Sequence, residues 1–298
     1  MTTPTFDDRD GNIWFNGTLM PWRGAKVHVL THALHYASCV FEGVRAYGGR
    51  VFKLQEHSER LFASARTLDM TIPYSVDAIS AATVETLRAN NITEGYLRPL
   101  AWRGSEMMGV AAQTTRINVA IACWVWPSYF SLEARLRGIR LQMSEWRRPA
   151  PDTAPVKAKA AGLYMICTLS KHAAERAGYE DALMLDYRGY VAEATGANVF
   201  FVMNGEIHTP LADCFLDGIT RQTVIALAKA RGYKLIERHI KPEEMTKAQE
   251  CFITGTAAEV TPVREIGSYL FTPGEVCRTL MADYDAACGK LIAASSAA

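Results

Sequence analysis

"APVKAKAAGLYMICTLSKHA", Ala154–Ala173, carries a proline-rich loop straight into an apolar segment of helical spacing. The loop, with Pro149, Pro151 and Pro155, follows a strand-like run, "GIRLQMSEW" (Gly138–Trp146). The helix it enters is predicted over Leu163 to about Ala177 and closed by Gly178. Lys157 and Lys159 sit where that loop meets a core helix. A lysine held against apolar surface has its pKa lowered, because desolvation disfavours the ammonium form, and it then becomes an imine-forming nucleophile. Spacing does not choose between the two lysines, and a solvated surface lysine is the commoner reading of either. Tyr164 offers a hydroxyl to the same neighbourhood.

Outward from this stretch, strands and helices interleave. Downstream, "DALMLDY" (Asp181–Tyr187) and "ANVFFVM" (Ala197–Met203) read as strands, the second ending on Asn204-Gly205. A helix is predicted from Thr220 to Arg231, closed by Gly232, followed by the strand "YKLIERHI" (Tyr233–Ile240). A last helix covers about Gly274 to Ile292, with "AASSAA" frayed beyond it. Upstream, "NIWFNG" (Asn12–Gly17) ends on a hairpin signal, because Asn and Gly tolerate positive φ, and a second hairpin turns at Gly48-Gly49. Leu61, Ala65 and Leu68 recur at helical spacing between Glu56 and Met70. Ser75 is an N-cap for a helix with Ile79, Ala82 and Leu87 on one face. "GYLRPLAWRG" and "RINVAIACWVW" read as strands, and "PSYFSLEARLR", from Pro127, fits neither period. The expected division is a smaller N-terminal domain over 1–126, an interdomain loop over 127–137, and a larger C-terminal domain over 138–298 that carries the lysines. The strict βαβ rhythm of a doubly wound sheet is missing, so the class is α+β.

Composition narrows the function. A net charge of +1 argues against a dedicated nucleic-acid surface. No apolar run approaches the roughly 20 residues of a membrane span, and "MTTPTFDDRDG" lacks the basic and apolar regions of a secretory signal. The 7 cysteines are scattered with no C-x-x-C pair, which suits reduced thiols in a cytoplasmic protein.

Three further stretches carry chemistry. In "GYVAEATGANVFFV" (Gly189–Val202), Glu193 interrupts an apolar strand-like run. Either it is buried and needs a partner, since an unpaired buried charge is expensive, or the strand is an edge and Glu193 is in water. "LDGITRQTV" (Leu216–Val224) puts Gly-Ile-Thr at a helix start, and "ITGTAAEVTPV" (Ile253–Val263) holds a Gly-Thr turn. Free backbone N–H groups in both are anion sites, or a plain N-cap and a plain turn. G-x-x-x-x-G-K-[ST], G-x-G-x-x-G and G-x-S-x-G are all missing, and His32, His35 and His57 lack metal-ligand spacing and read as structural. A desolvated lysine, a tyrosine, a buried carboxylate and two phosphate-type turns are together what pyridoxal phosphate requires.

The ordered set "IWFNG", "AKVHVLTHALHYASCVFEGVRAY", "EHSERL", "YLRPL", "MGV", "KAKAAGLY", "EATGANVF", "LDGITR" and "TGTAAEVTPVR" resembles the branched-chain amino-acid aminotransferases. These are fold-type IV (D-amino-acid-aminotransferase-like) pyridoxal phosphate enzymes, and the likeness runs from about Ile13 to about Arg264. The resemblance selects Lys159 as the lysine that carries the cofactor and leaves Lys157 as a neighbour on the loop. It implies Glu193 at the pyridine nitrogen, Tyr164 near the phenolic oxygen, Arg60, Ile219, Thr220 and Thr256 at the phosphate, and Leu216 against the ring. For the substrate it implies Phe41, Gly43, Tyr96, Arg98, Trp126, Tyr129, Thr256 and Ala257. Tyr36 and Val110 match residues given by a neighbouring subunit, so at least a homodimer is implied.

The implied reaction moves an amino group between L-branched-chain amino acids and 2-oxoglutarate, with small-molecule amino acids and 2-oxo acids as partners and neither nucleic acid nor membrane. Arg98 would serve the distal carboxylate of glutamate. D-amino-acid or (R)-amine transaminases share the cofactor site, but "YLR" at Tyr96–Arg98 with "MGV" at Met108–Val110 favours the branched-chain type. The chain departs from the family at Ala161 and Leu163, usually Gly and Asn, and at Ala194-Thr195-Gly196, usually Gly-x-Gly. These changes leave the chemistry intact and bear on pocket width and substrate range.

Overall fold

Hairpin turns and helix caps set the local structure. In a computed structural model that describes residues 5–126 and 132–290, the chain forms two compact units. One consists of Met1–Pro127 with Ala158–Leu163, the other of Ser128–Lys157 with Tyr164–Ala298.

The first unit opens with β1 (Asn12–Phe15) and β2 (Thr18–Pro21), turned by Asn16 and Gly17 at φ 47° and 103°. A short helix, α1 (His32–Tyr36), leads to β3 (Cys39–Phe41), β4 (Val44–Tyr47) and β5 (Arg50–Val51). Helix α2 (Leu54–Thr67) buries Leu61 and Ala65, and α3 (Val76–Ala89) starts where Ser75 Oγ accepts the Ala78 N–H at 3.1 Å. β6 (Gly95–Arg103) and β7 (Ile117–Val125) complete a sheet ordered β2-β1-β7-β6-β4-β5. β3 and β4 both pair antiparallel with β6, β3 at Leu100–Trp102 and β4 at Gly95–Leu97. Glu42 and Gly43 are the break between them, pinned by the Glu42 N–H donating to Pro99 O at 2.7 Å.

The second unit holds α4 (Leu132–Arg137), β8 (Ile139–Arg148), α5 (Met165–Arg176), β9 (Asp181–Asp186), β10 (Val191–Ala194), β11 (Asn198–Met203) and β12 (Glu206–Pro210). After these come α6 (Ile219–Ala230), β13 (Leu235–Arg238), β14 (Glu250–Gly255), β15 (Glu259–Ile266), β16 (Tyr269–Leu270) and α7 (Glu275–Ala287). The sheet runs β10-β9-β8-β15-β14-β11-β12-β13 with β16 on β15, and β10 also pairs with β11. That pairing, Glu193 opposite Asn198, closes six strands into a ring around Leu141, Leu183, Val199, Ile253 and Val263. Parallel and antiparallel pairs mix in this sheet, as is common in large sheets.

Three boundaries differ from expectation. Within the expected 127–137 loop, Leu132–Arg137 is helical, while 127–131 lies outside the described residues. Residues Ala158–Leu163, with Lys159, belong to the first unit, while Lys157 belongs to the second. Ala158 and Ala160 are buried in the first unit's core with Val40, and the Lys159 N–H donates to Ser64 Oγ at 3.0 Å. A composition change marks where a chain first leaves a domain; it does not register so brief a return. The last helix also stops short of Ile292, ending at Ala287 with Gly289 at φ 73°, and "AASSAA" lies outside the described residues.

Candidate active site

The break at Glu42-Gly43 builds a pocket wall on the first unit. Gly43 lies against Tyr96 so closely that an added Cβ would fall 1.9 Å from Tyr96 Oη. Tyr96 Oη accepts a hydrogen bond from Arg98 Nη2 at 3.2 Å. The Arg98 guanidinium lies over the rings of Phe41 and Tyr96, at 4.8 and 5.4 Å, and the Tyr96 ring lies 5.3 Å from that of Trp126. Lys159 Nζ approaches the same wall, 5.2 Å from the Phe41 ring centre, while Lys159 O accepts the Phe41 N–H at 3.1 Å. Lys159 is thus half-buried on an apolar wall; Lys157 is exposed. Of the expected residues, Phe41, Gly43, Tyr96, Arg98, Trp126 and Lys159 are brought together here.

Arg60 projects from α2 to the other side of the same break. Its Nε and Nη2 donate to the two oxygens of Glu42, at 2.7 and 2.8 Å, and His57 Nδ1 meets Glu42 Oε2 at 2.7 Å. Burial opposes ionisation of Glu42, but the Arg60 charge and hydrogen bonds, and then His57, hold its carboxyl well below the usual carboxylate range. Burial lowers the His57 pKa; the Glu42 hydrogen bond and charge pull it back up, and Arg60 and Lys159 add to the lowering. The imidazole is therefore a neutral Nδ1–H donor near pH 7.

On the second unit, the buried reading of Glu193 holds. It is 9% exposed, its Oε1 lies 3.4 Å from Arg148 Nε, and its Oε2 accepts from Asn198 Nδ2 at 3.2 Å. Burial works against the Arg148 cation, but Glu193 leads the anionic neighbours that raise its pKa, and the Tyr164 hydroxyl contributes. Asn198 also donates to Leu216 O at 3.0 Å and accepts the Gly218 N–H at 3.2 Å. A single amide thus ties Glu193, Leu216 and the start of α6 together. Gly218 caps α6 without a side-chain hydrogen bond, and Ile219 and Thr220 form the first turn, with N–H groups of the kind that hold anions. Thr256 and Ala257 occupy the turn between β14 and β15. That turn ends on Glu259, fully buried at φ 55° and paired with Lys290 Nζ at 2.6 Å.

Tyr36 and Val110 are exposed residues of the first unit. They are 43% and 87% exposed, Tyr36 at the end of α1 and Val110 between β6 and β7, two segments tied together by His32 Nε2 and Gly109 O at 2.9 Å. Val29, Leu34 and Met108 are also exposed there. Tyr129 lies outside the described residues. His32, His35 and His57 all make local bonds, to Ser38, Val29 and Glu42 respectively. Sequence reading missed Glu42, Arg45, Arg148 and Asn198. Arg45 and Glu42 fall within "FEGVRAY", where charges among apolar residues were the available signal. Arg148 and Asn198 offered none, because their partners are distant in the chain.

The donor set fits pyridoxal phosphate and a carboxylate-bearing substrate. On the first unit a half-buried lysine suits a carbonyl; on the second, a buried carboxylate beside an arginine suits a ring N–H, and a helix start without a side-chain cap suits a phosphate. Arg98 Nε, and Nε and Nη1 of the buried Arg45, have no acceptor among the described residues, an arrangement that calls for an anion. The family model for amino-transferase class IV matches residues 39–266, and the chain belongs to that family. Among its relatives is the branched-chain-amino-acid aminotransferase of Pseudomonas aeruginosa, 46% identical over 87% of this chain and 86% of that one. Among solved structures, the branched-chain aminotransferase of Thermoproteus uzoniensis with norvaline superposes with a TM-score of 0.90 at 36% identity, covering 95% of this chain and 96% of that one. A further branched-chain amino acid aminotransferase, solved with pyridoxamine 5'-phosphate and abbreviated T.th. by source, gives 0.91 at 40% identity with the same coverage.

Proposed function

We propose that the chain transfers amino groups between L-branched-chain amino acids and 2-oxoglutarate. The observation that carries this reading is the wall on which a guanidinium lies flat on aromatic rings: Arg98 over Phe41 and Tyr96. Apolar faces take a branched side chain, and the guanidinium takes the distal carboxylate of glutamate in a bidentate fork. The branched-chain names of the relatives support the same substrates. When bound, pyridoxal phosphate supplies an electron sink for the substrate α-carbon.

The chain's own residues do the rest. Lys159 Nζ would hold the cofactor and, when free as the amine, would take the proton from the substrate α-carbon. Glu193, held beside Arg148, would pair with the pyridine nitrogen. Tyr164 serves the phenolic oxygen, and Leu216 packs on the ring. Arg60, the first turn of α6 at Ile219 and Thr220, and Thr256 hold the phosphate. The substrate α-carboxylate goes to Tyr96 and the Thr256-Ala257 turn. Tyr36 and Val110 belong to a homodimer that buries the exposed apolar loops, with each serving the partner's substrate. Tyr129 completes the pocket. The place of work is the cytoplasm, which suits 7 scattered cysteines with no C-x-x-C pair; among the described residues no helix is long and apolar enough to cross a membrane.

A panel of single half-reactions tests the reading. Leucine, glutamate, D-alanine and (R)-1-phenylethylamine are each mixed with the cofactor-loaded protein, and the cofactor absorbance is followed. Fast changes with leucine and glutamate alone are expected. Turnover of D-alanine or the amine at leucine's rate would replace the proposal by a D-amino-acid or (R)-amine transaminase.

A further inference from the structure

We infer that Glu42 is a positioning residue, whose carboxylate sets the guanidinium of Arg60 for the cofactor phosphate while His57 braces that carboxylate from the other side. The inference rests on the proposed phosphate role of Arg60. The geometry is a side-on fork, with both Glu42 oxygens engaged by Arg60 at 2.7 and 2.8 Å and one also by His57 at 2.7 Å. The Glu42 side chain is 1% exposed and that of Arg60 is 16% exposed. A carboxylate sealed from solvent serves no ligand of its own, whereas the arginine side chain it orients keeps some accessible surface.

Chain geometry explains why this residue has the task. Glu42 is the break between β3 and β4, and its N–H is fixed by Pro99 O. Its neighbours Phe41 and Gly43 face the wall of Tyr96 and Arg98, so one break sets both the wall and the carboxylate. A free arginine side chain has many rotamers to lose, and a guanidinium already locked in a fork loses few of them on binding. The pair also balances charge, so a protein without cofactor does not hold a buried cation alone.

The test measures phosphate recognition separately from folding. Cofactor-free wild type, Glu42→Asp and Glu42→Gln are titrated with pyridoxal phosphate and with pyridoxal, following absorbance. The ratio of the two affinities reports the phosphate. Glu42→Asp keeps the charge but withdraws the carboxylate by one methylene, and Glu42→Gln keeps the length but removes the charge. The ratio is expected to fall by about tenfold or more in both, with pyridoxal affinity held within roughly threefold. If Glu42→Gln does not fold, Glu42→Asp decides.

Equal loss of both affinities would mean that Glu42 only supports the fold, and an unchanged or higher ratio would mean that it acts as a counterion alone; either overturns the inference. Arg60→Met separates the two layers. If Arg60→Met collapses the ratio while the Glu42 variants do not, the inference fails and the Arg60 assignment stands. If Arg60→Met leaves the ratio intact, both fail.

Discussion

Replacing Arg98 by alanine separates the two substrates that share one pocket. Among the described residues, Arg98 hydrogen-bonds to Tyr96 Oη at 3.2 Å and lies on two rings at 4.8 and 5.4 Å. For leucine the loss is that of packing beside an apolar side chain, about 1 kcal/mol, or some fivefold. For glutamate the distal carboxylate would be buried without its cation, at about 3–5 kcal/mol. Every 1.36 kcal/mol is tenfold in rate, so the glutamate half-reaction should slow by roughly 150- to 5,000-fold. The thermal midpoint should hardly move, because the buried Nε that is removed has no acceptor among the described residues. Stopped-flow measurement of each half-reaction, with glutamate and leucine in turn, provides the assay. Equal slowing of both would refute the reasoning, since it would place Arg98 at the α-carboxylate or in the fold.

Other perturbations probe the remaining assignments. Lys159→Ala should abolish both turnover and the visible absorbance of covalently held cofactor, while Lys157→Ala, at an exposed position, should change neither; persistence of the band in the first variant would sink the choice of lysine. Glu193→Gln keeps the shape beside Arg148 and Asn198 but removes the charge, so turnover should fall by about 10²–10³ while cofactor still binds. Near-normal turnover would leave Glu193 a structural role only. The Glu42 carboxyl is depressed in the folded state, so its contribution to stability is complete above its unfolded pKa of about 4.3 and drains away as pH falls through the folded value. Glu42→Gln should therefore flatten the acid limb of stability against pH by up to about 1.4 kcal/mol per pH unit, measured by denaturant unfolding between about pH 4 and the acid limit. Parallel limbs in the two proteins would contradict the depressed carboxyl.

Local signals carried much of the fold. The turns at Asn16-Gly17, Gly48-Gly49 and Asn204-Gly205 all sit at positive φ, and the caps at Ser75, Gly178 and Gly232 close helices within a few residues of expectation. Each of these depends on the conformational range of one or two residues and on hydrogen bonds made within a turn, so the information is contiguous. The strand β12 was missed because "EIHTP" is short and lacks a clean period, although the Asn-Gly turn before it announced a hairpin. The order of motifs likewise pointed to Lys159 and Glu193 before any geometry was known.

The sequence by itself determined where the chain turns, which helices start and stop, and which residue types the site would need. Tertiary structure alone decided which of the ambiguous charges are buried and what answers them. Glu193 read equally as an edge residue in water until the closing of β10 on β11 set it against Asn198 and Arg148. The residues 158–163 read as part of the C-terminal domain until Ala158 and Ala160 entered the first unit's core. Arg60 read as one of several phosphate ligands, with no partner of its own in view, until Glu42 took its guanidinium and His57 took Glu42. The physical reason is the same each time. A buried charge is tolerable only with a partner, and the partner comes from another strand or helix, where no periodicity along the chain records it.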